Sequence, residues 1–300
     1  SSLDEVKVFD WNGTTWVQTG NTIIGEAIGD GFGSSISLSS SGSYLAVGAP
    51  NNKGTTASTP IGHCRVFNLI GSVWTQVGTD IDGQISGNSR RSGSSVALND
   101  SGNVVVIGAT GNNDNGSNSG HARVYKLNGS TWSQQGLDID GEAAGDESGT
   151  EVSINAEGNI VAIGAPKNAD AGVDAGHVRV FKWENGMWQQ KGADIDGEGQ
   201  FDESGTAVAL DSIGNTIAIG APENNNAGGS SGHVRVFNLD NVVGVDEVVD
   251  SKAVTSISPN PFDKEFIVSF QQAVSTVVQV RNLEGKILYS STIERKAQHT

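Results

Sequence analysis

The sequence predicts an all-β fold, a β-propeller built of four-stranded antiparallel blades, and three observations carry that prediction. Glycine makes up 41 of 300 residues against 6 prolines, and the runs between are rich in Val, Ile, Ser, Thr and Asn. Such a composition favours short strands joined by glycine turns over helices. The motif Gly-His-x-Arg-Val-Phe/Tyr begins at Gly62, Gly120, Gly176 and Gly232, a period of roughly 57 residues. Each repeat divides into four strand-like segments, and four strands per repeat of this length describe a propeller blade. Three-stranded solenoid coils are the rival, but their repeats are usually shorter.

The strands follow in order. The first is Gly-Ser-Ser-Val-Ala-Leu at 93–98, matched at 149–154 and 205–210, with alternating apolar positions such as Val152 and Ile154. Turns at Gly42, Gly102, Gly158 and Gly214 lead to the second, Val-Ala-Ile-Gly-Ala-Pro at 161–166 and its counterparts at 45–50, 105–110 and 217–222. Its Gly and Ala predict close approach to a neighbouring backbone. A polar loop precedes the third strand, Gly-His-Val-Arg-Val-Phe. Asn12-Gly13, Asn128-Gly129 and Asn185-Gly186 then offer the positive-φ residues of a tight hairpin. The fourth strand carries Trp16, Trp74, Trp132 or Trp188, while Trp11 and Trp183 fall outside this register and read as surface residues.

These residues resemble the FG-GAP repeat of integrin α-subunit propellers. Phe32-Gly33 and Gly48-Ala49-Pro50 supply both halves of that motif; Gly164-Ala165-Pro166 and Gly220-Ala221-Pro222 keep the second half, behind Ser148-Gly149 and Ser204-Gly205. Gly108-Ala109-Thr110 departs from it. The resemblance covers residues 5–238 and implies a propeller of usually seven blades, of which four repeats are visible. Glu5–Phe9 reads as a third strand lacking its first two, so further blades are expected upstream of this chain.

Residues 1–238 therefore form the blade region, 239–254 an acidic linker, and 255–300 a different unit. In the last, alternating strands flank a Pro-Asn-Pro turn and a Glu284-Gly285 hairpin, the start of a small β-sandwich. Pro259, Asn260, Pro261, Gly285 and Lys286 resemble the type A C-terminal sorting domain of the type IX secretion system, of which about half is covered. That resemblance implies export across a bacterial outer membrane, with the type IX machinery as a partner, followed by release or surface attachment.

The charge of −16, with 18 Lys and Arg against 34 Asp and Glu, excludes a nucleic-acid binder, which needs clustered cations. No apolar run reaches the ~20 residues of a transmembrane helix. Cys64 stands alone, so neither an intrachain disulfide nor a thiolate metal site can form, and it reads as a small buried residue. No phosphate loop or His-Glu-x-x-His pair is present. Catalytic and cofactor-binding residues are accordingly not assigned.

The repeated chemistry has two readings at each place. His63, His121, His177 and His233 each precede, by two residues, Arg65, Arg123, Arg179 and Arg235. Alternation puts His and Arg on one strand face. One copy per blade suits an interface, each Arg meeting a carboxylate of its own or the next blade, better than a catalytic centre. The four in-register tryptophans similarly suit packing over a neighbouring sheet, with sugar binding as the alternative. The family's calcium hairpin falls on 39–43, 99–103, 155–159 and 211–215, where too few carboxylates stand to hold calcium. Acids gather instead in the Asp-Ile-Asp-Gly connections: Asp138, Asp140, Glu142 and Asp146, then Asp194, Asp196, Glu198 and Asp202. These form either a structural turn or a calcium site.

The function expected is that of a secreted or cell-surface binding or adhesion module. Its extracellular protein or glycan ligand would meet the loops 51–61, 110–119, 167–175 and 223–231. The alternatives are the scaffold part of an extracellular enzyme, such as a polysaccharide-degrading hydrolase, with its catalytic region elsewhere, and a passive structural repeat.

Overall fold

A computed structural model describes residues 3–54, 59–84, 91–226, 229 and 231–239, together with strands at 243–245, 254–258, 267–270, 275–281 and 287–294. Among the described residues every regular element is a strand and the ladders between strands are antiparallel, with isolated parallel bridges joining Gly62 to Ser92, Gly120 to Ser148 and Gly176 to Ser204. A hairpin of β1 (Glu5–Trp11) and β2 (Trp16–Ile24) comes first. The first sheet contains β3 (Ser35–Leu38), β4 (Tyr44–Ala49), β5 (His63–Ile70) and β6 (Val73–Gln76), in that order, with β7 (Ile81–Asp82) beside β5. The second repeats this with β8 (Ser92–Leu98), β9 (Val104–Ala109), β10 (His121–Asn128), β11 (Thr131–Gln134) and β12 (Ile139–Asp140). The third follows with β13 (Glu151–Ile154), β14 (Ile160–Ala165), β15 (His177–Glu184), β16 (Met187–Gln190) and β17 (Ile195–Asp196). The fourth opens with β18 (Ala207–Leu210), β19 (Thr216–Ala221) and β20 (His233–Asn238).

The fourth sheet then departs from the repeat. β21 (Val243–Val245), inside the segment read as a linker, pairs with β20 where the sister sheets place their tryptophan strand. It is followed by β22 (Val254–Ser258), which pairs with β23 (Ile267–Phe270). β24 (Ser275–Arg281) pairs with both β21 and β25 (Ile287–Glu294), extending the fourth sheet to six strands. The sorting-motif residues Pro259, Asn260, Pro261, Gly285 and Lys286 lie outside the described residues.

Among the described residues each core cluster is shared between neighbouring sheets. Val105 and Ile107 of β9 pack with Cys64 and Val66 of the first sheet, while Val104 and Val106 of the same strand pack with Val152, Val161 and Ile163 of the third. A strand buried on both faces reads as a continuous apolar run, which is why the second strands carry almost no polar residue. The third and fourth sheets share a matching cluster, and the hairpin shares one with the first sheet.

Hydrogen bonds cross the same junctions. Ser35 and Ser37 hydroxyls accept from the backbone N–H of Val96 and Leu98, both at 2.9 Å, and Ser153 accepts from Leu210 at 3.0 Å. The glycine of the second strand is placed for contact. A Cβ on Gly48, Gly108 or Gly164 would stand 2.0–2.1 Å from the carbonyl oxygen of Gly93, Gly149 or Gly205 in the next sheet. The close approach expected from the Gly-Ala pair is therefore an inter-sheet contact.

Two turn details differ from expectation. Only Asn185-Gly186 has positive φ at both central positions, the type I′ pattern. Asn128 instead ends β10 by pairing with Thr131, so Gly129-Ser130 make the turn, with positive φ at Gly129 alone. That is the type II′ arrangement, which needs glycine only at its first position.

Candidate functional site

The Asp-Ile-Asp-Gly connections are not free turns. Their Ile-Asp pairs are the short strands β7, β12 and β17, fifth members of their sheets, and each pairs with the start of the third strand. His63 faces Asp82, His121 faces Asp140 and His177 faces Asp196 across these ladders. After the glycine, the connection crosses to the next sheet, so a histidine meets acids on both sides of it.

The arginines reach back to the preceding element. Arg65 Nη2 donates to the Ile24 carbonyl at 2.7 Å, Arg123 to the Asp82 carbonyl at 2.9 Å, and Arg179 and Arg235 to the carbonyls of Asp140 and Asp196. Their carboxylate neighbours stand in the connection entering the sheet: Glu26 at 3.8 Å from Arg65, Glu142 at 3.5 Å from Arg179, Glu198 at 3.9 Å from Arg235. Each guanidinium also lies over an aromatic ring of its own strand, as Arg179 does over Phe181 at 5.5 Å. The pairing expected with the arginine's own or the next blade is thus made with the connection that enters its sheet. The tryptophans behave likewise, the indole N–H of Trp74, Trp132 and Trp188 donating to Thr19, Val77 and Gln135 carbonyls at 3.0, 2.9 and 2.7 Å. Trp183, expected at the surface, pairs across the hairpin with Trp188, their rings 5.3 Å apart. Trp11 is exposed and stands against the exposed Trp16.

The eight acids singled out in the sequence separate into different environments. Asp146 and Asp202 are buried; each accepts from a backbone N–H, Ala143 and Gly199 at 2.9 Å, and from the amide of Asn168 or Asn224 at 3.2 and 2.9 Å. They close loops and do not join the other acids. Asp30 does the same with Ala27 and Asn52. Asp138 and Asp140 converge instead on His121, with oxygens 3.4 and 3.7 Å from its Nδ1. Glu142 and Asp194 converge on His177 Nδ1 at 3.8 and 3.9 Å, and Glu198 approaches His233 Nδ1 at 3.6 Å. Asp196 stays on the β17 ladder opposite His177.

Among the described residues three groups of potential ligands result, each with all ligating atoms within 4.8 Å of one another. They are Glu26, His63 and Asp80; Asp114, His121, Asp138 and Asp140; and Glu142, Asp170, His177 and Asp194. Sequence reading did not include Asp114, Asp170 or the histidines in one site. A recurring asparagine, two residues before, holds the first two: Asn112 Oδ1 and Asn168 Oδ1 accept the N–H of Asp114 and Asp170 at 2.8 and 3.0 Å. Repetition of Asn52, Asn112, Asn168 and Asn224 was the available signal.

Burial pushes the His63 imidazole below its usual range against the opposing pull of Asp80 and Glu26. Burial, reinforced by Arg179, does the same for His177 against Asp194 and Glu142. Burial therefore favours the neutral ring at both positions. Burial also raises Asp82, helped by Asp80, and lifts the Cys64 thiol to about 12, so Cys64 is an inert packing residue.

Fold and site together describe a repeat protein of antiparallel β-sheets whose polar chemistry is concentrated at the joints between sheets. Neither protein-family models nor curated proteins give a match to this chain. Among solved structures it is similar to Kuenenia stuttgartiensis hydrazine synthase, at 12% identity and a TM-score of 0.47, over 83% of this chain and 64% of that one. The chain thus spans less than two thirds of that neighbour's length. No helix among the described residues is long and apolar enough to cross a membrane.

Proposed function

We propose that the chain is a non-catalytic β-propeller module for binding or adhesion, exported by the type IX route to the cell surface or beyond. The observation that supports this reading most is the build of the loops between second and third strands. One buried asparagine anchors the base of each: Asn52, Asn112, Asn168 or Asn224 accepts the backbone N–H two residues on, at 2.6, 2.8, 3.0 and 3.2 Å. Past that anchor the sequences diverge, Asn113–Asn118 in one loop and Ala169–Asp174 in another, and the side chains are largely exposed. A fixed base under a variable tip is how recognition loops are carried on a rigid scaffold.

Arrays of glycans and extracellular-matrix proteins, probed with the whole chain, test the reading. Specific binding is expected. It should be lost when residues 169–174 are replaced by the sequence of 113–118, a swap that keeps an aspartate at position 170 and the asparagine anchor. Uniformly blank arrays would contradict the proposal.

A further inference from the structure

We infer that each of the three histidine-centred groups is a site for a divalent metal ion of the zinc class. The ligands are His63 with Glu26 and Asp80, His121 with Asp114, Asp138 and Asp140, and His177 with Glu142, Asp170 and Asp194.

The carboxylates alone would not carry this inference, since exposed acids cluster for many reasons. The histidines are what single these places out. His63, His121 and His177 are each only 1% exposed, and the Nδ1 of each lacks a hydrogen-bond partner among the described residues. An unpaired buried nitrogen carries an uncompensated desolvation cost, yet the feature is kept three times over. Each Nδ1 points at carboxylate oxygens 3.4–3.9 Å away. That is longer than the ~2.7–3.2 Å of an N–H···O hydrogen bond. The shortest, His121 to Asp138 at 3.4 Å, matches the ~3.4 Å edge of a tetrahedron whose corners sit ~2.0–2.1 Å from a central zinc ion, and the others exceed it by about 0.3–0.5 Å.

The acids are also held as ligands are. Gln76, Gln134 and Gln190 donate to Oδ1 of Asp80, Asp138 and Asp194 at 2.7, 2.6 and 2.5 Å. In the last two, this leaves Oδ2 on the histidine side. Outer hydrogen bonds of this kind fix ligand orientation in metal sites. Gln84 stands where the other connections carry Glu26, Glu142 and Glu198, and it donates to Asp138 Oδ2 at 2.5 Å. The His121 group makes up the missing glutamate with Asp140.

One imidazole with two or three carboxylates selects the metal. Calcium takes six to eight oxygens, whereas imidazole nitrogen favours zinc and its transition-metal neighbours. The fourth repeat supplies an internal comparison. His233 has Glu198 at 3.6 Å, and it forms no group of three or more ligands among the described residues.

The test is zinc binding by the whole chain, stripped with chelator, carrying His299→Ala throughout so that the tail histidine does not contribute. Calorimetric titration and metal analysis after gel filtration should give three ions per chain. His121→Gln and His177→Gln should each remove about one ion, while His233→Gln leaves the count unchanged. Cobalt(II) in place of zinc should develop visible absorption bands of tetrahedral intensity that the same two variants diminish. If either variant fails to fold, Asp138→Asn and Asp194→Asn at the same groups are read in the same way. Absence of zinc binding, zinc counts indifferent to these substitutions, or calcium bound in preference to zinc would each overturn the inference.

Discussion

An internal joint and the outer face of the first sheet present the same side chains to different surroundings. Ile36 and Leu38 of β3 occupy the positions of Val96 and Leu98 in β8, yet they are 56% and 46% exposed where the latter are 5% and 7%. Part of the outer face borders an apolar cleft of about 470 Å³ under the β1–β2 hairpin, lined by Val8, Phe9, Trp16, Ile36 and Leu38. At the far end the contrast recurs. Val234 of β20 is 59% exposed, whereas Cys64, Ala122 and Val178 at its register are wholly buried. The lesson is that a sheet of this protein is an incomplete unit. Its apolar faces are specified by its own strands but buried only by the next sheet, the nearest-neighbour logic of repeat proteins.

The comparison can be broken most strongly at its glycines. Gly164→Ala would place a Cβ 2.0 Å from the Gly205 carbonyl oxygen, backbone against backbone. It should cost about 4 kcal/mol in denaturant unfolding. Gly220→Ala, at the same register of the fourth sheet, meets nothing nearer than the Ala207 Cβ at 3.2 Å, and should cost less than about 1 kcal/mol. Equal losses from the two would refute the assignment of that glycine to the joint.

A smaller difference is expected from the leucines. Leu98→Ala opens a cavity in the cluster between first and second sheets and should cost about 3 kcal/mol. Leu38→Ala, its exposed counterpart, should change stability by less than about 0.5 kcal/mol. Next come the tryptophans. Trp188→Phe removes the indole bond to the Gln135 carbonyl and should cost about 1 kcal/mol; Trp16→Phe, at the exposed end, should be near neutral.

The smallest effect concerns Glu151, which stands where sister strands have Ser35, Ser95 and Ala207. Burial raises its carboxyl above the usual range, against the lowering effect of the Ser95 hydroxyl bond at 3.3 Å. A carboxyl whose folded-state pKa is raised costs stability where it is ionised, and that cost disappears as pH falls through the raised value. Glu151→Gln should therefore stabilise slightly at neutral pH, and the gain should vanish in acid. A variant less stable than the parent at pH 7 would show that the carboxylate itself is needed at the joint.

Much of this architecture was legible in the sequence. Strand order, hairpins and repeat boundaries follow from period-two alternation and from glycines at fixed offsets. The Gly-Ala pair announced a close backbone approach. What the sequence left open is where side chains meet across joints. Arg179 could have turned to either neighbour, and only folding shows it reaching back to Asp140 and Glu142. The two-residue strands are too short for any periodicity to reveal. The histidine-centred groups were scattered more widely still, because Glu142, Asp170 and Asp194 come from a connection, a loop and the next connection. A run of acids drew attention to Asp146 and Asp202, which only brace loops, while the isolated Asp170 and the repeated histidines carried the convergence.

The central claim, that the third strand's apolar face is buried only where another sheet follows, is tested most directly by thiol accessibility. Cys64 lies at a joint and Val234 at its register on the open end. The parent chain and a Cys64→Ala, Val234→Cys variant would be exposed to an aromatic disulfide reagent under native conditions. Cys64 should react only on unfolding, and the thiol at position 234 should react within the mixing time. Prompt labelling of Cys64, or protection at 234 equal to that of Cys64, would contradict the account.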